Sequence, residues 1–80
     1  MSEQEATARL QQIVGDTFNI DPETVSDTSS PDTIAEWTSF NHLTLMAAVE
    51  EGFGITLSME EMSAVHNVAD LRRIVSAHVG

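Results

Sequence analysis

The sequence predicts an all-α fold: a four-helix bundle with three main helices, one short helix and a long first loop. Apolar residues recur at helical spacing in three stretches, and a serine, threonine or asparagine precedes each stretch at the cap position. Residues 55–57 alternate like a strand, but they are too few and lack a partner, so we interpret them as a linker. Residues 1–80 therefore form a single domain.

Composition limits both how this domain is stabilised and what it binds. The chain has no cysteine, which excludes disulfides, thiolate zinc sites and a thiol nucleophile, so stability must come from helix packing. Thirteen acids against three arginines give a net charge of −10. Such a charge disfavours nucleic acid and anionic membranes and favours basic protein partners. We expect a monomer with no nucleic-acid or membrane partner.

The beginning of the chain is polar and acidic, unlike a signal or transit peptide. No apolar run approaches the length of a membrane span. We therefore expect a cytoplasmic protein.

The first helix is predicted over residues 3–17. Ser2 caps it, and Glu5 three residues later fits a capping box. Gly15 is unfavourable inside a helix and is expected in the last turn. The apolar positions with a 3.6-residue period are Ala6, Leu10, Ile13 and Val14.

A long connection follows, over residues 18–37. Asp21 followed by Pro22 predicts a short turn of helix near residues 22–25. Turn-forming residues occupy most of the remainder. We expect four apolar side chains to hold this loop against the core: Ile20, Val25, Ile34 and Trp37.

The second helix is predicted over residues 39–52, with Thr38 or Ser39 as its N-cap and Gly54 as a left-handed C-cap. We assign four of its apolar residues to the core: Leu43, Met46, Val49 and Phe53.

Two further helices complete the chain. Ser58 and Glu61 form a second capping box, which begins a short helix through about residue 65. Asn67, with Asp70 three residues later, opens the last helix, which runs to about residue 77. We expect Val68, Leu71, Ile74 and Val75 on its buried face, Arg72 and Arg73 pointing outward, and His78 near its negative end.

Ser39 is the candidate functional residue. A serine at a helix N-terminus faces free backbone N–H groups and the positive end of the helix dipole, which are good conditions for holding a phosphate. The alternative is that Ser39 is only a cap, but Thr38 beside it can serve in that role. Trp37 is interpreted as core filling that anchors the end of the loop.

The sequence gives little support for a metal site or for catalysis by this chain. The three histidines have no metal-ligand spacing, and there is no calcium loop or glycine-rich phosphate loop, so no metal site is predicted. His42 lies one helical turn after Ser39, so a small serine hydrolase is a rival interpretation. The chain has no nucleophile elbow, however, and we predict no catalytic residue. Otherwise we expect His42 to be solvated or to face a partner.

Residues 37–55, WTSFNHLTLMAAVEEGFGI, resemble the acyl carrier protein family. That family reads Asp-Ser-Leu, then a helix, then Glu-Glu-x-Phe-Gly-Ile, and this chain has TSF at 38–40 and EEGFGI at 50–55. Residues 20–25 resemble the family's loop entry, and residues 67–71 resemble the start of its last helix. A tryptophan two residues before the serine is similar to a subset of free-standing carriers.

The resemblance implies a four-helix carrier in which Ser39 accepts 4′-phosphopantetheine from coenzyme A. A separate phosphopantetheinyl transferase with Mg²⁺ would attach the arm, and Trp37, Thr38 and Phe40 would flank the attachment point. The thiol of the arm would carry acyl groups as thioesters between loading and transfer enzymes. The carrier itself would not be an enzyme.

The chain departs from the family pattern in ways that imply a specialised role. Thr38 replaces the usual aspartate, Phe40 replaces leucine, and the first half of the second helix lacks the usual acids. We therefore expect a lipid, polyketide or secondary-metabolite pathway rather than general fatty-acid synthesis. Partners would contact Phe40, Met46 and His42 instead of acids. Alternatives are an aminoacyl or peptidyl carrier, and an unmodified acidic adaptor with a carrier-like fold.

Overall fold

The computed structural model describes residues 2–79 and is all-helical over that range. It contains α1 (Glu3–Phe18), a short 3₁₀ helix (Pro22–Thr24), α2 (Ser39–Phe53), α3 (Met59–Ala64) and α4 (Val68–Val79). The described part has no strand, confirming residues 55–57 as a linker, and no helix in it is long and apolar enough to cross a membrane. The predicted helical bundle is confirmed, and the helices end within two residues of the predicted positions.

The residues that cap the starts of the helices are among those that the sequence predicts, whereas the left-handed C-cap of α1, Asn19, was not predicted. The hydroxyls of Ser2, Thr38 and Ser58 each accept a hydrogen bond from an amide in the first turn of the helix that follows. Ser58 and Glu61 form both hydrogen bonds of the capping box. Asn67 Oδ1 accepts a bond of 2.8 Å from the first turn of α4. Polar side chains therefore satisfy donors that a helix start leaves without intrahelical acceptors.

The core lies where α1 packs against α2 and α4, and the long loop contributes to it. Val25, Ile34 and Trp37 are buried as predicted, whereas Ile20 is half-buried. The side chains that are almost completely buried come from three helices and the loop: Leu10, Val14, Val25, Leu45, Met46, Val49, Leu71 and Val75.

Backbone hydrogen bonds also fix the long loop. The carbonyl of Ser29 accepts a bond of 2.9 Å from the amide of Val68, and that of Asp27 accepts one of 3.1 Å from the amide of Ala69. Ser29 is itself buried. The loop thus supplies acceptors to the first turn of α4, which explains how a long segment stays attached with little secondary structure.

The prediction that Leu43 lies in the core is wrong. Its side chain is 61% exposed, and Leu45 is completely buried instead. Residues two apart in a helix point in nearly opposite directions, so both could not face the core. Leu45, Met46 and Val49 form the buried stripe, which leaves Leu43 on the outer face.

Arg72 does not point outward as predicted. Its guanidinium lies against the protein and pairs with Asp27 and Glu3, each at 3.1 Å. The hydrogen bond to Asp27, followed by the charge of that carboxylate, raises the pKa of Arg72. One side chain thereby joins α4 to the long loop and to α1. Arg73 is exposed and pairs with Asp70 on its own helix.

None of the six residues of α3 is fully buried, although Met62 packs against the core, and polar contacts also hold this helix. His78 of α4 lies 2.8 Å from the Glu61 carboxylate. The Ser58 amide, and then His78, lower the pKa of Glu61 by hydrogen bonding to its ionised form. His78 therefore pairs across to α3, rather than only occupying the C-terminal end of α4 as expected.

Gly15 lies inside the buried part of α1, where the chain returns across it. A Cβ added there would lie 2.8 Å from Pro22 Cγ and 2.9 Å from the carbonyl oxygen of Ile20. Gly52 in α2 differs, because its Cβ would meet only the end of the flexible Ile13 side chain, at 2.6 Å.

The substitution Gly15→Ala should lower the free energy of unfolding by up to about 2 kcal/mol. Overpacking costs about 1–3 kcal/mol, which outweighs the ~1 kcal/mol that alanine gains in a helix. Gly52→Ala should be neutral or stabilising, because Ile13 can move. Urea denaturation checks both variants, and equal effects at the two glycines would contradict the packing described.

The contacts of Glu61 predict a pH-dependent stability. Because folding lowers the pKa of Glu61, its contribution is present at neutral pH and is lost as the pH falls below about 4. Glu61→Gln retains a capping-box acceptor but loses the charge. Its melting temperature should be below that of Glu60→Gln at pH ~7, and the difference should disappear as the pH falls through the lowered pKa of Glu61. A difference that persists in acid would contradict this account.

Candidate functional site

Ser39 is the first residue of α2 and is exposed to solvent. Thr38, not Ser39, is the N-cap, since Thr38 Oγ1 accepts a 3.2 Å hydrogen bond from the amide of Asn41. Within residues 2–79 the Ser39 hydroxyl makes no hydrogen bond with another residue. The alternative that Ser39 is only a cap is therefore wrong, and its oxygen is free to react or to be modified.

The helix start around Ser39 has a positive electrostatic character. The amides of Ser39 and Phe40 belong to the first turn and have no intrahelical acceptor. No acidic side chain occupies that turn. An anion bonded to the Ser39 oxygen would therefore be next to free N–H groups and the positive end of the helix dipole.

A groove of about 410 Å³ begins at Ser39 and runs toward α3. Apart from His42, no side chain that lines it is ionisable: the others are Pro31, Trp37, Thr38, Ser39, Met62, Ser63 and Val65. A larger depression, of about 500 Å³, lies over α1 and includes Arg72. We favour the groove as the functional site, because the only cation that lines the depression is already paired with two carboxylates.

Trp37 fixes the end of the long loop, immediately before α2. Its side chain is 4% exposed, and its ring packs against Phe18 of α1 with 5.5 Å between ring centroids. The prediction that Trp37 fills the core is confirmed. Its indole also has a polar contact, because Nε1–H donates a 3.0 Å hydrogen bond to Nδ1 of His42.

His42 connects three parts of the structure, so the expectation of a merely solvated side chain is wrong, while contact with a partner stays a prediction. It is half-buried, Nδ1 accepts from Trp37, and Nε2 lies 2.9 Å from the carbonyl oxygen of Met62. Because a carbonyl only accepts, Nε2 carries the proton, and the imidazole is neutral. No lone pair on the ring remains to take a proton from Ser39, so these two residues do not form a nucleophile–base pair in this conformation.

The sequence alone indicates part of the contact set of His42. Trp37 and His42 bracket the start of a predicted helix, so their proximity could have been inferred. Met62 lies twenty residues later, and its role depends on a backbone carbonyl that no side-chain pattern reveals.

Phe40 and Leu43 form an exposed apolar face on the outer side of α2. They are 78% and 61% exposed, and their spacing of three residues places them on one side of the helix. Met46 is completely buried, so the expectation that partners contact it is wrong. Isolated exposed apolar residues are common, but two neighbours beside a free serine identify a candidate contact surface.

The other histidines lie in separate polar contacts. His66 Nδ1 lies 3.7 Å from an Asp70 oxygen, and His78 contacts Glu61. Across residues 2–79, no group of three or more histidine, aspartate or glutamate side chains is arranged to hold a metal ion.

A comparison with models of known protein families found none that matches the chain. The carrier resemblance therefore remains an expectation from residues 37–55 and the segments around them.

The assignment of the helix cap to Thr38 and not to Ser39 can be tested by measuring the stability of two variants. Thr38→Ala removes the helix cap and should cost about 0.5–2 kcal/mol. Ser39→Ala removes a hydroxyl that bonds to nothing in the described chain, so its unfolding free energy should change by less than about 0.5 kcal/mol. Urea denaturation monitored by circular dichroism measures both. A larger loss for Ser39→Ala than for Thr38→Ala would contradict the assignment of the cap.

Proposed function

We propose that this protein is a free-standing carrier of acyl-carrier type. Ser39 would bear a 4′-phosphopantetheine arm whose thiol carries acyl intermediates as thioesters. The observation that carries the proposal is the Ser39 hydroxyl itself: it is exposed and unbonded at the first residue of α2, while Thr38 caps the helix. A serine that only stabilised its helix would not need a second capping residue beside it.

The residues around Ser39 fit the attached group. A phosphodiester at the serine oxygen would lie near the first-turn amides of α2, which favour an anion. The groove that begins at Ser39 has no acidic side chain along its lining to repel that phosphate. The chain has no cysteine, so the thiol of the arm would be the only thiol present and could not form a disulfide within the protein.

A separate transferase is the expected agent of attachment. The Ser39 oxygen would form a bond to the phosphorus that bears the pantetheine, and the adenine nucleotide of coenzyme A would leave. The serine proton needs a base, and His42 is the nearest histidine in sequence. Since both ring nitrogens of His42 are already hydrogen-bonded, a base and Mg²⁺ from the transferase suit the reaction better than chemistry within this chain.

Partner enzymes would bind the exposed face formed by Phe40 and Leu43. These side chains lie on the helix that begins at Ser39, so a partner covering them would reach the arm. The first turn of α2 has no acid, although the chain carries a net charge of −10. Contact at this face would therefore depend on apolar burial more than on salt bridges, which supports dedicated partners in a specialised biosynthetic pathway. Loading by enzymes that use basic docking patches would be poor.

The test is transfer of labelled phosphopantetheine from coenzyme A by a broad-specificity transferase. The unchanged chain should gain one arm, which intact-mass measurement detects. Ser39→Ala should gain none, while Ser63→Ala, which removes another hydroxyl lining the same groove, should be labelled normally.

Label in Ser39→Ala would show a different attachment site. No label in the unchanged chain with several transferases would contradict the proposal and favour the unmodified adaptor, for which Thr38 in place of aspartate is the supporting observation.

A further inference from the structure

His42 lies between a donor and an acceptor, and the donor requires Nδ1 to be unprotonated. The Trp37 indole N–H donates to Nδ1 at 3.0 Å, and Nε2–H donates to the carbonyl of Met62 at 2.9 Å. The ring planes of Trp37 and His42 differ by 17°, with 6.1 Å between centroids. With the nitrogens only 3.0 Å apart, these values place the rings edge to edge, so the indole N–H points at the in-plane lone pair of Nδ1.

A proton on Nδ1 is incompatible with this arrangement. It would replace the acceptor lone pair with an N–H that points at the indole N–H, so one hydrogen bond would be lost and two donors would oppose each other. Because the imidazole lies at the edge of the indole and not over its face, a cation–π contact would not compensate. The imidazole and the indole must then separate, whereas the Met62 carbonyl can still accept from Nε2–H.

The Met62 contact joins His42 to α3. None of the six residues of α3 is fully buried, although Met62 packs against the core and Glu61 pairs with His78 of α4. Because His42 bonds to both Trp37 and α3, a change in the position of its ring acts on both sides of the groove.

We propose that His42 is a proton-operated latch: neutral, it joins the Trp37 indole to Met62 of α3, and protonation at Nδ1 breaks the contact with the indole and changes the shape of the groove. The latch deepens the proposed function, because the groove that it controls begins at the serine proposed to bear the arm. Its physical basis does not require the arm.

Neighbouring charges do not mask the effect. The other side chains lining the groove are uncharged. The acids adjacent in sequence to residues that line the groove are Asp32 and Glu36, both exposed in the loop, and Glu61 in α3. The Glu61 carboxylate is bonded to the Ser58 amide and His78. Trp37 is the only tryptophan, so indole signals report on this corner alone.

The test is a pH titration of the unmodified protein from about pH 8 to about pH 5, the range in which histidine changes charge. We measure Trp37 fluorescence together with the NMR signals of the Trp37 indole N–H, the His42 ring nitrogens and the Met62 and Ser63 amides. At the upper pH, His42 should give the signature of the Nε2–H tautomer. The indole and α3 signals should then shift along the same curve as His42.

Two variants distinguish the effect of protonating His42 from other effects of acid on the protein. In His42→Asn, the carboxamide oxygen can accept from Trp37 but does not titrate, so the Trp37 transition should disappear. His66→Asn, at an exposed histidine away from the groove, should keep the full transition. Retention of the transition in His42→Asn would overturn the proposal.

If His42→Asn does not fold, the titration of the unchanged chain decides the question. An indole signal that does not follow His42 would then overturn the latch. All of these measurements use protein without the arm, so failure of the latch is distinguishable from failure of the carrier proposal, which the labelling of Ser39 tests.

Discussion

Burial of Trp37 determines the geometry around Ser39. A twenty-residue connection with little secondary structure must end at a defined point if α2 is to begin at the same residue in every molecule. The indole provides that point, because it packs against Phe18 and hydrogen-bonds to His42 one turn into the helix that it precedes. Removing a buried indole would cost about 3–5 kcal/mol, a large share of the stability of an 80-residue domain.

At the start of α2, the residues that stabilise the helix are not the residue whose hydroxyl is exposed. Thr38 satisfies the helix donor, and Trp37 provides the anchor, so Ser39 has no structural duty in the described chain. The helix α2 also has a buried side and an exposed side. Leu45, Met46 and Val49 are buried, and the outer side presents an apolar face without acids in its first turn. These surroundings support the proposed attachment of an arm at Ser39.

Much of the fold was predictable from sequence, because local rules decide it. Helix caps depend on residues three positions apart, so Ser58 with Glu61 was readable directly. Leu43 was misassigned because its spacing of three residues from Met46 is compatible with a shared helix face, whereas the buried stripe is formed by Leu45, Met46 and Val49.

The contacts that sequence reasoning missed join residues distant along the chain. Arg72 pairs with Glu3 and Asp27, and His42 reaches a carbonyl twenty residues away. Such pairings depend on how the helices pack, which periodicity alone does not determine. The exposure of Ser39 was predicted correctly, but the engagement of both nitrogens of His42, which bears on the rival hydrolase interpretation, required the tertiary structure.

The central claim is tested most directly by the intact mass of the protein purified from its native host, beside Ser39→Ala. The account predicts a gain of one phosphopantetheine, with or without cargo, only in the unchanged protein; an unmodified native protein, or the same gain in Ser39→Ala, would contradict it.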